Sequence, residues 1–175
     1  MGKSHDLATA AAGFTFSGTV DASSGLTTPA GHIVQIAHTS NNQVDAHQSF
    51  NSTTLVGSGV TCSITPKSTS NKFIVDWNVS MAHYNSASQI YGVMKFKIGS
   101  GSYNFMTGVD DASNPYQIGY QYSGNQYAPM TMRGEVDITS ADAYTFQPFY
   151  EGGSGLGHWC HIRASYSLLV MEIAQ

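Results

Sequence analysis

The chain reads as an all-β protein, an antiparallel β-sandwich of jelly-roll type preceded by an extended N-terminal arm. Three observations predict this. Short runs of alternating apolar and polar residues follow one another from Gly31 onward, separated by turn clusters. Charged residues make up only 10% of the 175, against roughly 25% in an average domain. Ser, Thr, Asn, Gln and Gly replace them, which suits the wet face of strands better than surface helices. Finally, no segment keeps a helical period over three turns.

The first 30 residues form the arm, and residues 31–175 the head. The arm is rich in Gly, Ser, Thr and Ala and too polar to build a core. Phe14 and Phe16 alternate with Thr15 and Ser17, a short strand signal, and Gly18 and Ser23-Ser24-Gly25 supply turns. Arms of this composition are ordered only when something ties them down. Phe14, Phe16 and Val20 are therefore expected to anchor it on a neighbour. The arm has no apolar h-region, which argues against a signal peptide. No run of 18 apolar residues occurs, so no membrane insertion is expected.

The head elements follow in order. Ile33–Thr39 is the first strand. Gly59–Thr65 places Val60, Cys62 and Ile64 on one face, and Pro66 to Asn71 is a turn cluster. Lys72–Met81 alternates most clearly, with Phe73, Val75, Trp77, Val79 and Met81 on one side. Ile90–Ile98 sets Met94, Phe96 and Ile98 against Lys95 and Lys97. Tyr103–Thr107 is a short returning strand, and Tyr116–Tyr122 presents four apolar or aromatic residues on one side. Pro129–Thr139 carries Met130, Met132, Val136 and Ile138. Ala143–Tyr150 carries Tyr144, Phe146 and Tyr150, with Pro148 marking an edge or bulge. His158–Arg163 and Ser165–Ile173 close the chain. The run LLVMEI has few polar breaks, so both its faces are expected to be covered, by a central position or by a subunit interface.

The chain offers little for catalysis. No G-x-S-x-G, P-loop or H-E-x-x-H string occurs, and no enzyme activity or cofactor is expected. His158 and Cys160 share a strand face, as do His32 and His38, but a structural zinc needs four ligands and none is assigned. Asp110 and Asp111 precede Ala-Ser-Asn-Pro, a turn-forming context. The two cysteines, Cys62 and Cys160, read as buried thiols or as a cross-sheet disulfide. With 7 bases against 11 acids and no basic stripe, nucleic-acid binding is not expected. Ten tyrosines, with Asn, Gln and Ser around them, fit either a binding surface or a subunit contact. The receptor-binding candidates are Asp110, Asp111, Tyr116, Tyr122, Tyr127 and His158.

Three separated strings carry a likeness. GHIVQIAHTS, VTCSITPKSTSNKFIVDWNVS and SYSLLVMEIA stand in the order of a C-terminal fibre-type domain whose pattern runs roughly GKVLQVVH, ITPSSTSSKILV and a terminal LMEI. Over Gly31 to Gln175 the chain resembles tailed-phage virion appendage proteins of marine and cyanophage type. GFTFSGTVDASSGLT in the arm resembles one unit of a fibre-shaft repeat. The likeness implies a virion structural protein, assembled in the host cytoplasm and without catalytic residues. It implies a homotrimeric sandwich head, docked through its arm on other virion proteins as a short fibre or appendage. A head decoration protein, or a tip that binds host-surface glycan, is the alternative.

Overall fold

The alternation along the head becomes eleven strands in a computed structural model of the chain. The structure describes residues 30–41, 49–50, 54–84, 88–106, 118–122, 126–152 and 159–175, with side chains for 30–40, 54–79, 91–106, 129–151 and 166–175. The strands are β1 (Ile33–Asn41), β2 (Ser49–Phe50), β3 (Val56–Gly57), β4 (Cys62–Ile64), β5 (Lys72–Tyr84), β6 (Ser88–Ile98), β7 (Asn104–Phe105), β8 (Ile118–Tyr122), β9 (Gln126–Asp137), β10 (Tyr144–Gly152) and β11 (Trp159–Ile173). No helix occurs among the described residues.

These strands form two antiparallel sheets packed as a sandwich. The first has the order β1-β11-β5-β9, with β2 also paired to β11. The second has the order β3-β10-β6-β7, with β4 also on β10 and β8 also on β6. The all-β sandwich expected from the sequence is therefore the fold. The last strand lies between β1 and β5, a central position in its sheet.

Period-two alternation decides which residues meet between the sheets. In β5, Phe73, Val75, Trp77 and Val79 are buried, as are Met130, Met132 and Val136 in β9 and Leu168 and Val170 in β11. The opposite sheet contributes Cys62, Ile64, Met94, Tyr144, Phe146 and Tyr150 to the same core. Phe73 meets Tyr144 and Phe146 edge to face, with centroids 5.1 and 5.6 Å apart. Such pairs add about 0.5–1.5 kcal/mol beyond area burial. Trp77 donates its indole N–H to the Tyr150 hydroxyl, a hydrogen bond across the buried gap. The Tyr144 hydroxyl accepts Thr139 N–H at 2.9 Å and Ser140 N–H at 3.1 Å, closing the turn between β9 and β10.

Three readings need correction, and two short strands are added. The closing pair of strands is one strand, β11, with an irregular register between Ile162 and Tyr166. The short strands β2 and β3 have no alternation long enough to detect. A register shift between Ile33 and Gln35 breaks the shared face expected for His32 and His38. Pro148, read as an edge or bulge residue, sits in β10 between two neighbours, opposite Met94 of β6. It is tolerated because the other neighbour is interrupted there: β3 pairs at Phe149 and Tyr150, β4 at Tyr144 to Phe146. Pro148 accepts Ser58 N–H at 2.9 Å, so its own nitrogen, which cannot donate in return, points to the same break.

Candidate functional site: a lysine–aromatic face

The side chains of β6 alternate, and Lys95 and Lys97 turn away from the core that Met94 and Phe96 join. Strand β7 pairs through Lys95 and Phe105, which sets that ring beside the lysine on the outer face. On the other side of β6, Gln147 opposes Lys95, Thr145 opposes Lys97, and Phe149 opposes Val93. Register alone thus gathers two cations, two rings and two neutral hydrogen-bonding groups.

The rings hold the cations. Lys95 Nζ lies 4.2 Å from the centroid of Phe105 and 4.8 Å from that of Phe149. Lys97 Nζ lies 5.3 Å from the centroid of Tyr103, which in turn meets Phe149 edge to face at 5.1 Å. All three distances fall within the roughly 6 Å range of cation–π attraction. Burial pushes the Lys95 ammonium pKa down and the Tyr103 phenol up. Gly57 leaves room at the rim: a Cβ there would stand 2.5 Å from Gln147 Nε2 and 3.4 Å from Phe149 Cζ. Beyond Thr145 the face continues in Ser63, whose hydroxyl lies 2.9 Å from that of Thr145.

Neither lysine has a carboxylate partner among the described residues. The ion pairs there are Lys72–Glu135 at 2.9 Å and Arg133–Asp76 at 3.4 Å, both on the five-stranded sheet. Phe105 remains 38% exposed, so the cluster is open to solvent.

A second polar constellation is sealed. Glu172 on β11 points inward and has no exposed surface. Its carboxylate accepts Lys67 N–H at 2.9 and 3.0 Å, Ser68 N–H at 3.1 Å, Asn71 Nδ2 at 2.7 Å and Gln35 Nε2 at 2.5 Å. Burial raises the carboxyl pKa, but the donors from Lys67, Asn71, Gln35 and Ser68 outweigh it and the net shift is downward. With its lone pairs engaged by these donors, the group is built to hold a turn rather than to bind a ligand.

No family model and no curated protein matches the chain. The site is accordingly defined by its chemistry. Phe14, Phe16, Val20, Asp110, Asp111, Tyr116 and His158 lie outside the described residues. The backbones of Tyr122 and Tyr127 are placed: Tyr122 pairs with Ser88 in the six-stranded sheet and Tyr127 with Ala82 in the five-stranded sheet. They therefore do not share a sheet. No group of three or more His, Cys, Asp and Glu that could hold a metal occurs among the described residues. His38 is exposed and its Nε2 lies 3.1 Å from the Ser167 hydroxyl. Cys62 is buried and free, which removes the disulfide reading for that residue.

The sequence already turned Lys95 and Lys97 outward. Tyr103, Phe105, Gln147 and Phe149 were not singled out, because their meeting depends on strand pairing. Glu172 did carry a signal: a lone acid in LLVMEI must find donors if it is buried.

Proposed function

We propose that the chain is a virion structural protein of a tailed phage, a short fibre or appendage with a projecting homotrimeric head. The arm of residues 1–30 docks on the particle, and the sandwich of residues 31–175 projects from it. One observation carries the reading. The three strings that resemble the phage domain supply the groups that meet at one carboxylate: Gln35 from the first, Lys67, Ser68 and Asn71 from the second, Glu172 from the third. Strings far apart in sequence thus serve one contact, which supports reading their likeness as a shared head architecture.

The outer face of the five-stranded sheet supports self-association. Ile33 and Ile36 are 52% and 58% exposed, and Ile36 opposes Met171, which opposes Ile74. An apolar row of this kind suits burial against another copy.

Mass spectrometry and antibody labelling of purified particles test the proposal. The full chain is expected on the particle exterior, and its absence from particles overturns the reading. Deletion of residues 1–28 is expected to abolish incorporation; a truncated chain that still joins the particle overturns the docking role.

A second reading, a tip that binds host-surface glycan, is favoured by the open cluster of rings and lysines on β6, β7 and β10. Exposed aromatic rings beside neutral hydrogen-bonding side chains are suited to sugars.

A further inference from the structure

We infer that the outer face of the six-stranded sheet binds an acidic saccharide, with its carboxylate at Lys95 and Lys97 and its sugar ring against Phe105. The inference rests on the glycan-binding reading and names the chemical class of the glycan.

Cation–π contacts with Phe105, Phe149 and Tyr103 fix the two ammonium groups, yet leave them without a carboxylate among the described residues. An ammonium has three N–H donors, and a ring face does not satisfy them as an anion does. Partial burial of Lys95 sharpens the demand for a counter-charge. The chain carries 11 acids against 7 bases, so two lysines on one face without carboxylate partners among the described residues stand out against its overall sign.

The spacing limits the ligand. Lys95 and Lys97 are two residues apart on one strand, roughly 7 Å along it. That span fits one carboxylate or two neighbouring acidic sugars. A nucleic acid needs a longer track of cations to neutralise successive phosphates. Gln147, Thr145 and Ser63 add neutral amide and hydroxyl groups along the same face, matching the hydroxyls of a sugar.

Calorimetric titration of the full chain, with side-chain NMR, tests the inference. The probes are oligogalacturonate, hyaluronan oligosaccharides, a neutral maltooligosaccharide and a thymidine oligonucleotide. At least one acidic oligosaccharide is expected to bind, shifting the resonances of Lys95, Lys97, Tyr103 and Phe105. Lys95→Gln with Lys97→Gln is expected to weaken it by about tenfold or more. An unchanged thermal melt shows that this variant is folded. Should it melt early, Lys95→Arg, which keeps the charge, is expected to retain binding. Equal binding of the neutral oligosaccharide on these residues keeps the glycan reading and overturns the acidic class. Binding of neither class overturns both, and preference for the oligonucleotide overturns the saccharide. Undiminished affinity in the double variant overturns the site.

Discussion

Lys67 donates its backbone N–H to the carboxylate of Glu172 at 2.9 Å, joining the turn between β4 and β5 to the last strand, 105 residues later. Ser68 and Asn71 complete the grip on the turn, and Gln35 ties in the edge strand β1. A backbone amide pointing into the sandwich would otherwise stay unsatisfied, so the acid replaces a missing strand partner for the turn.

Replacing Glu172 separates this role from packing. Glu172→Gln keeps the shape but puts an amide N–H₂ where donors converge. It is expected to lower stability by about 1–3 kcal/mol. For a chain of this length that moves the melting midpoint by about 2–4 °C per kcal/mol. Urea denaturation monitored by tryptophan fluorescence measures it, and an unaltered midpoint refutes the assignment.

The same contact sets an acid limit. The folded Glu172 carboxyl sits below its ordinary value, so the folded chain holds this proton less tightly than the unfolded chain does. Its stabilisation is complete above the unfolded pKa of about 4.3 and is lost as pH falls through the lower folded value. The stability gap between the native chain and Glu172→Gln is therefore expected to hold from neutral pH down to about 5 and to shrink below about 4. Melts across that range decide it; a gap that widens on acidification contradicts the linkage.

Particular residues show how much of this was legible. Phe73, Val75, Trp77 and Val79 were placed inside by alternation alone, because a strand offers only two faces. Tyr144 and Phe146 followed for the same reason. Pro148 was misread because its tolerance depends on the break between β3 and β4, a fact about neighbours rather than about β10 itself. The lysine–aromatic face shows the same divide. Lys95 and Lys97 were visible as an outward pair, but Phe105 and Phe149 reach Lys95 only through pairing across β7 and β10. Local periodicity encodes which way a side chain faces, and non-local register encodes whom it meets.

The hydrogen bond from Trp77 to Tyr150 crosses the sandwich where water is excluded. Tyr150→Phe removes the acceptor and leaves a buried indole N–H unpaired. The expected loss is about 1–3 kcal/mol with little change in the fold. Far-UV dichroism should stay native while the unfolding midpoint drops; no drop means the indole finds another acceptor.

Cys62 lies in the core, and burial raises its thiol pKa, with the Thr39 hydrogen bond opposing only part of that shift. The thiolate is the reactive form, so both access and ionisation protect this residue. Iodoacetamide labelling at pH 8, read on the Cys62 peptide by mass spectrometry, is expected to be at least about a hundredfold slower in the native chain than in denaturant. Rapid native labelling would place Cys62 outside the core.

Gly57 tests whether the lysine–aromatic face can be adjusted without loss of the fold. An added Cβ would press on the Gln147 amide, at 2.5 Å from Nε2 and 3.1 Å from Cδ, the far end of a flexible side chain, while the nearest ring atom, Phe149 Cζ, stands at 3.4 Å. The amide can swing aside, and a strand gains slightly from losing a glycine. Gly57→Ala is thus expected to stay within about 0.5 kcal/mol of the native stability. It should nonetheless shift the side-chain amide resonances of Gln147 and the ring resonances of Phe149. Those shifts should extend to Lys95, because Phe149 lies under its ammonium. A large stability loss would mean that Gln147 is locked by the strands around it, and unmoved resonances would mean that it does not rest on β3.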